Sequence, residues 1–274
     1  MKIAFIIPSF DGGGAERVMV NLANGFASQG STVYLIVFNN NGVYKKELSD
    51  KIQIIDINTD RALFSYFAIK AVIKKENFQI LFSTIGHVNI LLIILKLLNK
   101  KNGFRIVIRE SNTSSQLVRS NLFLKLSLLD VLRKLLYPNA DLIVAPSRGV
   151  ATDLVHNYKI KRKLIEVVRN PINLKRLLSF SKKPIKGTFI DHLSSKIIIG
   201  IGALTKQKDF KTLIRAFSVV KKTHNCKLII LGEGPERQTL ENVINELNLN
   251  EHVYMPGFVT NPFNYLKTSE VFVL

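Results

Sequence analysis

Seven short segments of the chain read as strands, several of them apolar almost throughout: 2–8 (KIAFIIP), 32–38, 52–57, 79–84, 105–110, 141–147 and 165–170. A strand with one wet face alternates apolar and polar residues, whereas a strand covered on both faces does not. Ile and Val dominate these runs, so they predict parallel strands packed between helices. Helical spacing lies between them. Val18, Met19, Leu22, Ala23 and Phe26 recur on one face after the first strand. The stretches 63–76 and 147–158 follow the same period, and Ser147 is placed to cap the second.

A second series starts near residue 196. Strands are predicted at 196–204, 226–234, 252–257 and 270–274. Helices are predicted at 209–224, at 235–249 with Pro235 at its start, and briefly at 262–269. Residues 173–196, with Pro184 and Gly187, hold no strong period and read as a linker. Two consecutive βα series predict two Rossmann-like, doubly wound α/β domains facing each other, over 1–183 and 184–274. The second offers four strands and stops at Leu274 with no helix to cover the last, which predicts an incomplete second domain.

Composition adds a sign of charge. Apolar residues make up 47% of the 274, enough for a sizeable core. The net charge is +19, and residues 1–185 carry most of it, with 28 basic against 12 acidic side chains. Such a surface suits anionic partners. It reads either as a solvated surface or as one that docks on an anionic membrane. Nucleic acid is set aside, because no zinc spacing, aromatic RNA-binding segment or helix-turn-helix accompanies it. The single cysteine, Cys226, lies in an apolar run and reads as a small core residue of a cytoplasmic protein. The N-terminus lacks a secretory pattern, and the longest apolar stretch, 90–98, contains Lys96 and is about half a membrane span.

Three glycine-bearing junctions are candidate sites. Gly12, Gly13 and Gly14 sit between the first strand and its helix, where free N–H groups and the helix dipole favour an anion. A flexible turn is the plainer alternative, since neither GxGxxG nor the P-loop pattern is present. In 201–217 (IGALTKQKDFKTLIRAF), Gly202 closes a strand, and Lys206 and Lys208 follow in a short loop suited to a diphosphate. An ordinary exposed loop would also hold lysines there. In 231–240 (LGEGPERQTL), Gly232 and Gly234 bracket Glu233, but Arg237 falls where a dinucleotide fingerprint needs its third glycine. A nicotinamide cofactor is discounted for that reason.

These pieces are colinear with GGGAERVMVNLANGFASQG near the start, ADLIVAPSRGV and VVRNPIN in the middle, and VYMPGFVTNPFNYLKTSEVFVL at the end. The whole chain resembles family 4 glycosyltransferases, which have the two-domain GT-B fold. The resemblance implies transfer of a sugar from a nucleotide diphosphate sugar to an acceptor hydroxyl, with retention and without a metal or other cofactor. It implies that the glycine loop (Gly12–Gly14) and the cleft lysine, Lys208, stabilise the leaving diphosphate. Family members often add an Arg where this chain has Ala203, which leaves Lys206 as the neighbouring cation. His87, in STIGHVN, is implied as a contact to sugar or acceptor, although a loop His is as readily a surface residue. Arg109, Glu110 and Asn112 end another strand and are candidate substrate contacts, with Arg109–Glu110 pairing as the alternative. Gly232 and Glu233 are candidates for the base or ribose side.

Past a strand like SEVFVL, family members carry a Glu-x7-Glu helix, which is absent here. A truncated, inactive nucleotide- or membrane-binding remnant is therefore the alternative function. The acceptor expected is a sugar or a lipid-linked glycan of surface polysaccharide assembly. The stretch 121–137, with Lys125, Arg133 and Lys134, reads either as a core helix or as a basic helix on the inner face of an anionic membrane.

Overall fold

The computed structural model describes residues 1–11, 13–59, 62–99, 103–111, 123–185 and 195–274. They form two compact units, Met1–Ile172 and Asn173–Leu274.

The first unit is built on a parallel sheet of strands β1 (Lys2–Ile7), β2 (Thr32–Val37), β3 (Gln53–Asp56), β4 (Ile80–Ser83), β5 (Arg105–Arg109), β6 (Leu142–Ala145) and β7 (Ile165–Val167). Their spatial order is β3-β2-β1-β4-β5-β6-β7. All seven runs are strands, and the two-faced burial expected of them is present in the central strands, whereas the edge strands β3 and β7 expose Gln53, Asp56 and Glu166. Ile3, Phe5 and Ile7 point to one side, against Met19, Val20, Ala23 and Ala27 of helix α1 (Gly14–Ser28). Ala4 and Ile6 point to the other. There they join side chains of α2 (Ala62–Glu76), α3 (Gly86–Leu98), α4 (Phe123–Leu136) and α5 (Arg148–His156). Ser147 caps α5, its hydroxyl accepting from the Val150 N–H at 3.3 Å.

The second unit repeats the plan with β8 (Lys196–Ile201), β9 (Cys226–Leu231), β10 (Val253–Gly257) and β11 (Val271–Val273), in the order β10-β9-β8-β11, all parallel. Helices α7 (Phe210–Val220) and α8 (Arg237–Glu246) cover one face through Phe210, Ile214, Phe217, Leu240 and Val243. Cys226 is buried in that layer, as expected. Tyr265 and Leu266 of α9 (Phe263–Thr268) lie on the other face, against Ile197, Ile199 and Leu231.

Two expectations are corrected. Residues 173–196 are not all linker, because Leu174–Ser181 is a helix, α6. The Asn173 side chain accepts from the Arg176 N–H at 3.0 Å and starts it. The domain boundary consequently lies at Ile172/Asn173 rather than at 183/184. The Nδ2 of Asn261 donates to the Phe180 carbonyl at 2.9 Å, and that of Asn264 to the Pro184 carbonyl at 3.3 Å, which ties α6 and its exit to the second unit. Also, α8 begins at Arg237, with Pro235 in the preceding turn.

Candidate active site

In open α/β sheets, ligands bind beyond the carboxyl ends of the strands, where the chain order reverses direction. In the first unit that point lies between β1 and β4. The loop leaving β1 leads to Gly13, which caps α1 with no side-chain bond of its own. Gly13 and Gly14 are exposed, and Gly12 lies outside the described residues. The helix N-terminus has an internal occupant. The Glu16 carboxylate folds back so closely that a Cβ on Gly13 would collide with it. Burial raises the Glu16 pKa, the Asp11 carboxylate adds to the rise, and a bond to its own backbone N–H opposes it. The loop is braced from β2. Gly42, at φ 128°, presses on the Phe10–Asp11 backbone with no room for a Cβ, and the Tyr44 N–H donates to the Phe10 carbonyl at 3.0 Å.

Thr84 and Ile85 link β4 to α3, and Gly86 and His87 open that helix, so His87 stands in a helix's first turn rather than in the expected loop. His87 is exposed, yet crowding by the protein lowers its imidazole pKa through desolvation. Behind it lies a buried polar network that runs through the ends of β4 and β5. The Ser83 hydroxyl donates to Asn89 Oδ1 at 2.5 Å. The Asn89 amide donates to the Arg109 carbonyl and to Tyr137 Oη, both at 3.2 Å. Tyr137 Oη in turn donates to Glu110 Oε2 at 2.8 Å. The Nε of Arg133 stands 3.8 Å from that oxygen, a charge pair without a hydrogen bond. Its Nη1 donates to Asp130 Oδ1 at 3.0 Å, and Tyr158 Oη donates to the same oxygen at 2.8 Å. Burial raises the Tyr137 phenol pKa, and the Glu110 carboxylate raises it further. Burial works against the Arg133 charge, but Glu110, Tyr137 and Asp130 together more than offset it, so its pKa is raised and the guanidinium remains protonated.

Arg109 and Glu110 are thus buried members of this network; the Glu110 charge acts on Arg109, whose side-chain bonds among the described residues go elsewhere. Arg109 donates to Thr84 Oγ1 at 2.9 Å and to Asn170 Oδ1 at 2.6 Å, so it joins the ends of β4 and β5 to the segment after β7. From α1, the Asn21 amide reaches the Pro171 carbonyl of that segment at 3.4 Å. Asn112 lies outside the described residues. Gly86 has a specific use here, because a Cβ on it would meet the Arg133 guanidinium. His87 therefore stands on a turn backed by Arg133.

In the second unit the order reverses between β8 and β11. The loop after β8 carries Ala203, Lys206 and Lys208, all exposed, and no ion pair or hydrogen bond holds either lysine head among the described residues. The stem of Lys208 lies on Gly202, at van der Waals distance from where a Cβ would be. Asp209 follows at φ 47°, an unusual conformation for a residue other than glycine, and caps α7 through the Thr212 N–H. Gly232, at φ 144°, and Gly234 let the next loop come against the carbonyls of Gly202 and Leu204. Backbone bonds close that contact: Leu204 N to Glu233 O at 2.9 Å, Glu236 N to Leu204 O at 3.0 Å, and Gly232 N to Gly257 O at 2.9 Å. The Glu233 carboxylate lies over Gly257 and pairs with Arg237, which also holds Glu241 and the Met255 carbonyl, both at 2.9 Å.

The structure therefore gathers His87, Arg109 and Glu110 around the ends of β4 and β5. It sets Gly13 and Gly14 at the neighbouring strand β1. In the other unit it groups Lys206, Lys208, Gly232 and Glu233. Thr84, Asn89, Tyr137 and Asn170 were not singled out from the sequence, and Arg133 was named only as a cation of the stretch 121–137. Asn89, a lone amide in the apolar run GHVNILLIIL, was the one legible hint. Among the described residues, no cluster of His, Cys, Asp and Glu is assembled to hold a metal ion.

The model for Glycosyltransferase Family 4 matches residues 12–176, and that for Glycosyl transferases group 1 matches 189–274. The chain belongs to glycosyltransferase family 4. It is 32% identical over 279 aligned positions to a Campylobacter jejuni enzyme, N-acetylgalactosamine-N,N'-diacetylbacillosaminyl-diphospho-undecaprenol 4-alpha-N-acetylgalactosaminyltransferase. That match covers 99% of this chain and 73% of the relative. A second C. jejuni galactosaminyltransferase, acting on a longer undecaprenol-linked glycan, is 24% identical over 91% of this chain and 66% of its own length. Among solved structures, HepE of Anabaena in complex with UDP and glucose superposes with a TM-score of 0.76 at 16% identity, covering 99% of this chain and 73% of that one. Sucrose-phosphate synthase of Thermosynechococcus elongatus gives 0.78 at 15% identity, covering 99% and 74%. These likenesses establish the GT-B fold of this glycosyltransferase.

Proposed function

We infer that this glycosyltransferase moves a sugar from a nucleoside diphosphate sugar to a lipid-linked glycan at a membrane face, with retention at the anomeric carbon. The observation that carries the donor half is the pair of exposed lysines after β8, at the strand reversal, whose heads have no partner among the described residues. Cleavage of the donor places charge on the leaving diphosphate, and fixed cations and N–H dipoles stabilise it as it develops. Lys208 is the primary cation in this reading, Lys206 a second one in place of the missing Arg, and the α1 N-terminus at Gly13–Gly14 an additional donor. His87, neutral at pH 7 because its pKa is lowered, contacts the sugar or acceptor as a hydrogen-bonding imidazole. The UDP and glucose in the HepE complexes support the donor class, and the undecaprenol-linked substrates of the Campylobacter relatives support the acceptor class. The reading needs no metal ion.

The test is a thermal-shift panel of uridine, guanosine and adenosine diphosphates and their sugars. One nucleotide is expected to stabilise the protein. The Lys208→Met variant keeps the stem on Gly202 but removes the charge. It is expected to bind that nucleotide about tenfold or more weakly, since a hydrogen bond to a charged group contributes ~1.5–3 kcal/mol. Equal binding by the variant would remove Lys208 from the site.

A further inference from the structure

We propose that the outer face of α4 is a docking surface for an anionic lipid bilayer. The inner face of this helix is accounted for: Leu129, Leu132 and Leu136 pack on the core, and Arg133 enters the polar network. The outer face is not. Leu128, Val131 and Leu135 are 60%, 51% and 66% exposed, and their spacing stacks them in one stripe along the helix. Among the described residues, nothing in this unit covers that row of apolar side chains.

Charge selects the occupant. Asp130 and Lys134 are one turn apart and share a flank of the stripe. The Tyr158 hydroxyl bonds to Asp130, which brings the segment that follows Tyr158 up beside that flank. Lys159, Lys161 and Lys163 of that segment are exposed, as is Lys134. Asp130 accepts from Arg133 and Tyr158, the exposed Asp141 after α4 is paired with Lys96, and Glu166 is the exposed carboxylate that follows the lysine segment. The result is an apolar stripe bordered by cations, on a unit with 24 basic and 12 acidic residues over 1–172. A second copy docked on this face would set the same lysines against one another. Anionic headgroups complement them while the stripe enters the acyl boundary. At 14 residues, α4 is too short to cross a bilayer and would lie along it. Arg133 of the same helix backs the turn that bears His87, so the docked face belongs to the element behind the candidate acceptor site. The docking rests on the proposed function only for what is met at the bilayer.

The test is flotation of the full chain with vesicles of phosphatidylcholine alone and with about one-third phosphatidylglycerol added. Wild type is expected to float with the anionic vesicles and to be released by raised salt. The triple change Leu128→Ser, Val131→Ser, Leu135→Ser and the triple change Lys159→Glu, Lys161→Glu, Lys163→Glu are each expected to lower the bound fraction about tenfold. All six residues are exposed, and melting curves check the fold, with Leu135→Ser alone as the milder variant. Flotation of the stripe variant at the wild-type level overturns the proposal, and so does equal binding of wild type to neutral vesicles. A dimer by light scattering that the stripe variant abolishes, without vesicle binding, assigns the face to a second copy and also overturns it. Nucleotide thermal shifts on the same samples separate the two readings. Failure of wild type to float with an intact nucleotide shift counts against docking alone, and flotation of wild type without any nucleotide shift supports docking while removing the donor assignment.

Discussion

Glu16 shows how a single side chain sets the state of the glycine turn. Its carboxylate occupies the α1 N-terminus, where the helix dipole favours it, but burial and Asp11 raise its pKa. A carboxyl with a raised folded-state pKa binds protons more readily in the folded than in the unfolded protein. Its contribution to stability is therefore present at acid pH and lost as pH rises through the shifted value. Glu16→Gln, which keeps the shape and the acceptor oxygen, is expected to raise the melting temperature relative to wild type at neutral pH. The gain should shrink as pH falls through the raised value and be gone below the usual glutamate range. A gap that does not change with pH would mean that the carboxylate carries no such penalty. The glycine turn was legible from its residue types, whereas this occupant was not. A Glu three residues into a helix reads as a routine first-turn acid, and its fold-back onto Gly13 depends on the absence of a Cβ there.

At the level of elements, the central strands were legible because burial on both faces leaves little room for polar positions, and the shorter edge strands β3 and β7 by their place in the βα alternation. Helix α6 was not, because it is short and amphipathic and its packing partner, α9, lies far along the chain. The network of Asn89, Arg109, Glu110, Arg133 and Tyr137 was hidden for a related reason. Its members come from α3, β5, α4 and the turn after α4, and no local spacing links them. The arrangement is costly to break, since a buried carboxylate that loses a donor keeps its desolvation penalty. Tyr137→Phe is expected to destabilise the first unit by ~1–3 kcal/mol in urea denaturation. In the Glu110→Gln background the same change is expected to cost clearly less, because the charge that needs the phenol is gone. Additive effects would show that the two groups do not act through their bond.

The whole molecule consists of two units, each with its own sheet and its own core on both sheet faces. Calorimetry is therefore expected to resolve two cooperative transitions. Ile36→Ala, which empties space at the centre of the first sheet, is expected to cost ~2–5 kcal/mol in one transition and to leave the other in place. Movement of both transitions together would show that the units unfold as one. The stitching in the second unit has a different kind of consequence. The loops after β8, β9 and β10 share backbone bonds and glycine contacts, so none of the three can be lengthened or exchanged alone. For a protein engineer they form one cassette. Donor preference would have to be transplanted from a relative with Gly202–Asp209, Gly232–Glu236 and Gly257 moved together, and a chimera that carries one of these loops from a foreign parent should misfit the other two.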